Sequence, residues 1–297
     1  MHADQLPIDL GVARSLIRDQ FPEWQDRSVV EAVTDGTMNA IFRIGDDLAA
    51  RFPITVSSAA KTRATLLHEA DAMREFAHAS PVAAPLQVAV GEPGARYPLP
   101  WSVQTWIAGE VATATGLADS IPFARDLARL IRSLRTVDTR GRTFSGDGRG
   151  GELHDSDEWM ALCFRESVGI VDVERARELW SRLVELPRVA PDVMSHTDLT
   201  AANLLVADGR LAGVLDTGGF AAADPSLDLV VAWHLLDHKA RDALHADLGS
   251  DDLEWARGQA WALQQAMGLV WYYQQSNPTM AALGRNTVAR ILADPLA

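Results

Sequence analysis

Residues 194–228 read MSHTDLTAANLLVADGRLAGVLDTGGFAAADPSLD. The apolar runs LLVA and LAGVLD flank Asp208-Gly209, a dipeptide that favours tight turns, so the middle of this stretch predicts a β-hairpin. Polar residues stand at either side of it: His196, Asp198 and Asn203 before the first strand, and Asp216 at the end of the second. Asp224 precedes Pro225, an arrangement suited to capping a helix whose first turn holds the proline.

Outward from this stretch, the chain changes texture once. SVVEAV, NAIFRIG and DLAARF, starting at Ser28, are short runs separated by Asp35-Gly36 and Gly45-Asp46-Asp47, which predicts three strands and two hairpins. A helix over 60–79 follows, with Leu66, Ala70, Met73 and Ala77 on one stripe. Pro81, Pro85, Pro93, Pro98 and Pro100 then forbid helix, and LQVAV and WSVQTWI read as two further strands. An additional helix is expected at 8–21. Beyond Gly109 helices dominate, over 119–137, 155–168, 172–186 and again from about 225. The glycine- and arginine-rich segment 138–151 reads as a mobile, solvated loop. The fold class is therefore α+β, a largely antiparallel five-stranded sheet with one inserted helix, then a mainly helical part. The expected division is 1–106 and 107–297.

Composition narrows the function. Forty Asp and Glu against 27 Lys and Arg give a net charge of −13, which argues against nucleic acid as a partner and mildly favours cationic ones. No run of 18 uncharged apolar residues exists and MHADQLPIDL has no secretory character, so a cytoplasmic protein without a membrane span is expected. A single cysteine, Cys163, leaves no internal disulfide framework and no thiolate-rich metal site. Only Lys61 and Lys239 are lysines, so a mechanism that needs that residue has two candidates.

His196-x-Asp198-Leu199-x-x-x-Asn203 fits the catalytic-loop pattern H-x-D-L-x-x-x-N of phosphotransferases. Phosphoryl transfer asks chiefly for positioning and charge neutralisation. Asp198 would orient an acceptor hydroxyl and take its proton, and Asn203 and Asp216 would offer hard oxygens to Mg²⁺. His196 would brace the loop. Two other readings stay open. An isolated Asp-x-Gly marks a turn, and a metal hydrolase could use His196 and Asp198 as ligands with Asp216 and Asp224 bridging.

The ordered motifs resemble the aminoglycoside and macrolide phosphotransferases, small-molecule kinases with a bilobal, protein-kinase-like fold. HTDLTAANLLV matches that family's H-G-D-L-x-x-x-N-L-L-V, LDTGG its I-D-[FW]-G, and AADPSLDL its G-D-P-x-x-D-L. GTMNAIFRIGDDLAARFP resembles its first three strands and PWSVQTWIAGE its strand and hinge. Thr197 departs from the usual glycine and Thr217 from the usual aromatic residue. The resemblance implies an N-terminal nucleotide-binding lobe, a C-terminal lobe with catalytic loop and acceptor site, and ATP or GTP as co-substrate. It implies Arg51 in place of the third-strand phosphate-binding lysine, paired with Glu69 on the following helix. Gly36, Thr37 and Asn39 would turn over the phosphates, and Ser102 to Ile107, including Gln104 and Trp106, would form the hinge against the purine. Asp224 and Asp228 would be structural.

The acceptor is less constrained. Asp237, Asp242, Asp247, Asp251, Asp252 and Glu254 would suit a cationic, aminoglycoside-like compound, or simply cap helices. Trp271, Tyr272 and Tyr273 would line an apolar, macrolide-type pocket or pack the last helices. A small-molecule kinase is the expectation; an ordinary metabolite acceptor, or a non-catalytic nucleotide-binding module of the same fold, is the alternative. Oligomeric state is not encoded.

Overall fold

The structure is a computed structural model that describes residues 6–32, 38–94, 96–146 and 148–293. The chain forms two compact units. The first comprises Met1–His78, Ala83–Ala108 and Asp216–Gly218, the second Ala79–Val82, Gly109–Leu215 and Gly219–Ala297.

In the first unit, α1 (Leu10–Gln20) precedes strands β1 (Val29–Glu31), β2 (Asn39–Ile44) and β3 (Leu48–Pro53), then α2 (Ala59–Ala79), β4 (Gln87–Gly91) and β5 (Trp101–Thr105). The strands form one sheet in the order β1-β2-β3-β5-β4, every neighbouring pair antiparallel. Period-two alternation puts Phe42 and Ile44 of β2 and Ala50 and Phe52 of β3 into one core with Ile17, Tyr97, Trp101 and Val103. Phe52 stacks on Trp101 with ring centroids 4.6 Å apart. Burying each such large side chain contributes roughly 1.5–3 kcal/mol. The same alternation sends Arg51, between Ala50 and Phe52, to the opposite face. Helix α2 starts where Ser58 Oγ accepts the amide of Lys61 at 3.2 Å, and it buries Leu66, Ala70, Met73 and Phe76.

The second unit contains β6 (Glu110–Val111), α3 (Ile121–Arg135), α4 (Asp157–Glu166), α5 (Val173–Leu183), β7 (Val193–Ser195), β8 (Leu204–Ala207), β9 (Arg210–Val214), β10 (Ala221–Ala223), α6 (Val230–Leu235), α7 (His238–Leu248), α8 (Asp252–Tyr272) and α9 (Pro278–Ala293). The expected hairpin is β8–β9, edged by β6, and a second small sheet pairs β7 with β10. Asp126 of α3 ties the hairpin down, accepting from Arg210 Nε and Nη2 at 2.6 Å each and from the Leu211 amide at 3.3 Å. Burial pushes the Asp126 carboxyl up, but these hydrogen bonds and the charges of Arg210 and Arg129 outweigh it and hold it below its usual range.

Segment 138–151, expected as a solvated loop, is pinned at its C-terminal end. Gly150 O accepts the Asp224 amide at 2.9 Å, and Arg257, bound to Asp224, reaches Gly151 O at 3.5 Å. Gly150 has φ +113°, and a Cβ there would lie 2.8 Å from Ala223 Cβ, so only glycine admits this approach.

Candidate active site

The transfer-side residues sit between β7 and β8. Asp228 fixes the start of their loop: its carboxylate, 3% exposed, accepts from Ser195 Oγ at 2.9 Å and from the His196 amide at 3.0 Å. His196 is buried, with Nε2 2.8 Å from Leu215 O and Nδ1 3.3 Å from the Asp198 amide. A carbonyl can only accept, so Nε2 carries the proton and Nδ1 receives the amide. His196 thus links the loop to the end of β9. Asn203 Nδ2 donates to Asp198 O at 2.9 Å and to Asp198 Oδ2 at 3.3 Å, while its main-chain oxygen accepts the Leu215 amide at 2.7 Å. The Asp198 carboxylate stays 46% exposed, open to a small molecule.

Thr197 has φ +70°, a region costly for a β-branched residue and free for glycine. Its hydroxyl offsets part of that cost by donating to Gly219 O at 3.2 Å. The departure from glycine noted in the sequence is therefore a departure at a strained position.

The residues expected to serve the nucleotide lie in the first unit. Arg51 Nη2 donates to Asp216 Oδ1 at 3.1 Å and Nη1 to Gln104 Oε1 at 3.4 Å. The expected Arg51–Glu69 ion pair is not formed; the guanidinium forks to Asp216 and Gln104 instead. Glu69 lies against Gly218, where a Cβ would come within 3.0 Å of the Glu69 side chain. Burial raises the Glu69 carboxyl pKa, the neighbouring Arg51 charge opposes this, and Asp216 adds to the rise.

Most of the expected hinge segment is strand. Ser102 and Gln104 are within β5; Ser102 is buried and paired in register with Arg51 on one side and Val90 on the other. Trp106 follows the strand, but its amide already donates to Asp47 O at 2.7 Å, and Arg43 lies over its ring at 5.3 Å. That N–H is not free for a purine. Asn39 opens β2 opposite Pro53. Gly36 and Thr37 lie outside the described residues.

One residue in contact with Asp198 was not singled out in the sequence. Arg149 Nη2 donates to Asp198 Oδ1 at 2.6 Å. The signal was a lone arginine flanked by Gly148, Gly150 and Gly151, but nothing local links it to a carboxylate 49 positions on. The Tyr273 phenol also senses this centre: burial, then Tyr272, then the Asp198 charge raise its pKa.

The donors suit Mg²⁺. With Asn203 Nδ2 committed to Asp198, the amide oxygen is the end left to bind a hard cation, and Asp216 supplies a carboxylate with 55% of its side chain exposed. Mg²⁺ commonly takes one or two such protein oxygens and completes its shell with phosphates and water. Among the described residues no group of three or more His, Cys, Asp or Glu gathers to hold a metal. Asp224, the bridging ligand of the hydrolase alternative, is 2% exposed and paired with Arg257.

A family model described as "Phosphotransferase enzyme family" matches residues 29–261, more than half of the chain. The chain belongs to the phosphotransferase enzyme family. A 79-residue stretch is 34% identical to an aminoglycoside 3'-phosphotransferase of Escherichia coli, covering 23% of this chain and 29% of that relative. The match thus spans less than a third of the relative's length. Among solved structures, the GDP and kanamycin complex of APH(2")-IIIa superposes with a TM-score of 0.70 at 17% identity, covering 96% of this chain and 99% of that one. The macrolide 2'-phosphotransferase MphH of Brachybacterium faecium gives a TM-score of 0.58 at 18% identity over 91% of this chain and 93% of that one. At those identities the superpositions establish the kinase-like phosphotransferase fold, and the family match establishes the enzyme class.

Proposed function

We propose that this phosphotransferase moves the γ-phosphate of ATP or GTP, as its Mg²⁺ complex, to a hydroxyl of a small molecule. The observation that carries the reading is the Asp198 loop: Asp228, His196 and Asn203 hold its backbone, and the one carboxylate they present stays half exposed. Such a group orients an acceptor hydroxyl and accepts its proton as the phosphoryl group departs from the nucleotide. Asn203 and Asp216 would each offer an oxygen to Mg²⁺, and Arg51 would offer a fixed positive charge to phosphate oxygens, its guanidinium giving the bidentate geometry that a lysine lacks. Glu69 and Asn39 accompany it on the nucleotide side.

The relatives' names place aminoglycosides and macrolides among the acceptors to test. Of the carboxylates expected to build a cationic pocket, most are engaged elsewhere: Asp237 with Arg290 at 2.9 Å, Asp242 with His238 at 2.8 Å, Asp247 with Arg125 at 3.5 Å and Glu254 with Arg135 at 2.7 Å. Asp251 caps α8, accepting the Glu254 amide at 2.8 Å. The acceptor is therefore best described as a hydroxylated small molecule. A cytoplasmic location fits the need for ATP or GTP, and no described helix is long and apolar enough to cross a membrane. A non-catalytic module of the same fold would not need Asp198, Asn203 and Asp216 together. Nucleoside diphosphate release across a panel of hydroxylated acceptors tests the reading; tight nucleotide binding with no acceptor-dependent release would favour the module.

A further inference from the structure

The acceptor side of Asp198 carries a positive charge that is built in. Asp198 Oδ1 accepts from Arg149 Nη2 at 2.6 Å, and Oδ2 accepts from Asn203 Nδ2 at 3.3 Å, so both oxygens are engaged. Arg149 is no loose surface residue. Its side chain is 35% exposed, and its Nε is enclosed with no hydrogen-bond partner, so the stem is embedded and only the tip meets solvent. The residue that follows is fixed twice, by the Asp224 amide on Gly150 O and by the packing of Gly150 against Ala223 and Leu227. Asp224 in turn is buried and held by Arg257 Nε at 2.9 Å and by Ser226 Oγ at 2.6 Å. The network that the sequence reading took as purely structural thus sets where the guanidinium stands.

We propose that Arg149 positions the Asp198 carboxylate and sets the charge of the acceptor, so that the hydroxyl taken by Asp198 belongs to an uncharged or anionic compound and not to a polycation. The proposal rests on Asp198 being the acceptor-side base. A guanidinium on the base repels an ammonium group beside the reacting hydroxyl. Its unspent donors, by contrast, can share a hydroxyl, carboxylate or phosphate oxygen with the carboxylate. Four of the six carboxylates that would have recruited a polycation from the C-terminal helices are occupied by Arg125, Arg135, Arg290 and a helix cap. Both observations remove the features that an aminoglycoside-type acceptor would use.

Calorimetric titration of the full chain with kanamycin at low ionic strength, on wild type, Arg149→Gln, Arg149→Glu and the double variant Arg149→Gln/Asp198→Asn, tests this without needing turnover. The unfolding midpoint of each variant checks its fold, and Arg149→Gln carries the test if the charge reversal does not fold. Wild type should bind kanamycin most weakly. Arg149→Gln should bind it about tenfold more tightly and Arg149→Glu more tightly still, as expected for removing and reversing one close charge. Adding Asp198→Asn to Arg149→Gln should cancel most of the gain, because the freed carboxylate is what receives the ammonium group. Equal affinity of wild type and Arg149→Gln, whether both bind tightly or neither binds, overturns the proposal, and so does a gain that survives Asp198→Asn. Failure of the underlying reading would show differently: as nucleotide binding with no acceptor-dependent diphosphate release if the chain is not a kinase, or as phosphoryl transfer undiminished in Asp198→Ala if Asp198 is not the base.

Discussion

At the scale of single residues, the site is a set of side chains whose freedom has been removed by specific partners. His196 and Asn203 spend their donors on Leu215 and Asp198, so each has one orientation left. These roles were legible in the sequence because the motif is local; Arg149 was not, because its partner is distant in the chain. Arg51 was found by position, but its partner was misassigned to Glu69, since helix periodicity cannot show that Asp216 and Gln104 share the guanidinium. Because two acceptors are held by one fork, Arg51→Lys should lose much of the benefit of Arg51, raising the nucleotide KM roughly tenfold, nearly as much as Arg51→Ala; a lysine variant with wild-type KM would refute the two-acceptor role. His234 gives a pH prediction. It is fully buried, neither ring nitrogen has a partner, and burial, with the charges of Arg149 and Arg290, depresses its pKa to about 3. The unfolded chain takes up a proton below its ordinary value near 6.5 while the folded chain does not, so stability falls as pH drops from about 6.5 toward 3, by about 1.4 kcal/mol per pH unit. Urea unfolding of His234→Leu should lack that part of the acid slope; identical slopes would count against it. Cys163 is buried with its thiol pushed up to about 11, so it should resist a thiol reagent at pH 8 until the chain unfolds.

At the scale of elements, long periodic segments were read well and short ones were not. Helices α2, α3 and α5 and the β8–β9 hairpin carry apolar stripes or a turn dipeptide, which propensity and pattern detect. Strands β6, β7 and β10 have two or three residues each and too few positions to show alternation; they exist because neighbouring strands and the Asp228 and Asp224 networks hold them. Apolar WSVQTWI does not mark where β5 ends, at Thr105, so the sequence alone does not separate strand from the residues that follow it. The strongest structural tie is the buried Asp224–Arg257 pair, with side chains 2% and 4% exposed. Breaking such a pair from one side leaves an uncompensated buried charge and costs about 3–5 kcal/mol. Arg257→Met should therefore lower the unfolding free energy measured in urea by that amount and, by releasing Gly150, also loosen the Arg149 contact with Asp198. An unfolding free energy within about 1 kcal/mol of wild type would deny the pair that structural role.

At the scale of the whole molecule, the net charge of −13 looked like a preference for cationic partners. The fold redistributes that charge: many of the C-terminal carboxylates neutralise arginines or cap helices, and the one carboxylate assigned to chemistry on the transfer side carries Arg149. Charge counted along a sequence does not tell where ion pairs form, which is why the acceptor was its least legible part, whereas family and fold were carried by ordered motifs. The proposed roles converge on Asp198 as the group that would take the acceptor proton. The most direct measurement is acceptor-dependent nucleoside diphosphate release by Asp198→Asn, with nucleotide binding measured alongside. Transfer should fall by about 10²–10⁴-fold while nucleotide affinity stays within about threefold of wild type. Transfer at the wild-type rate in that variant would contradict the account.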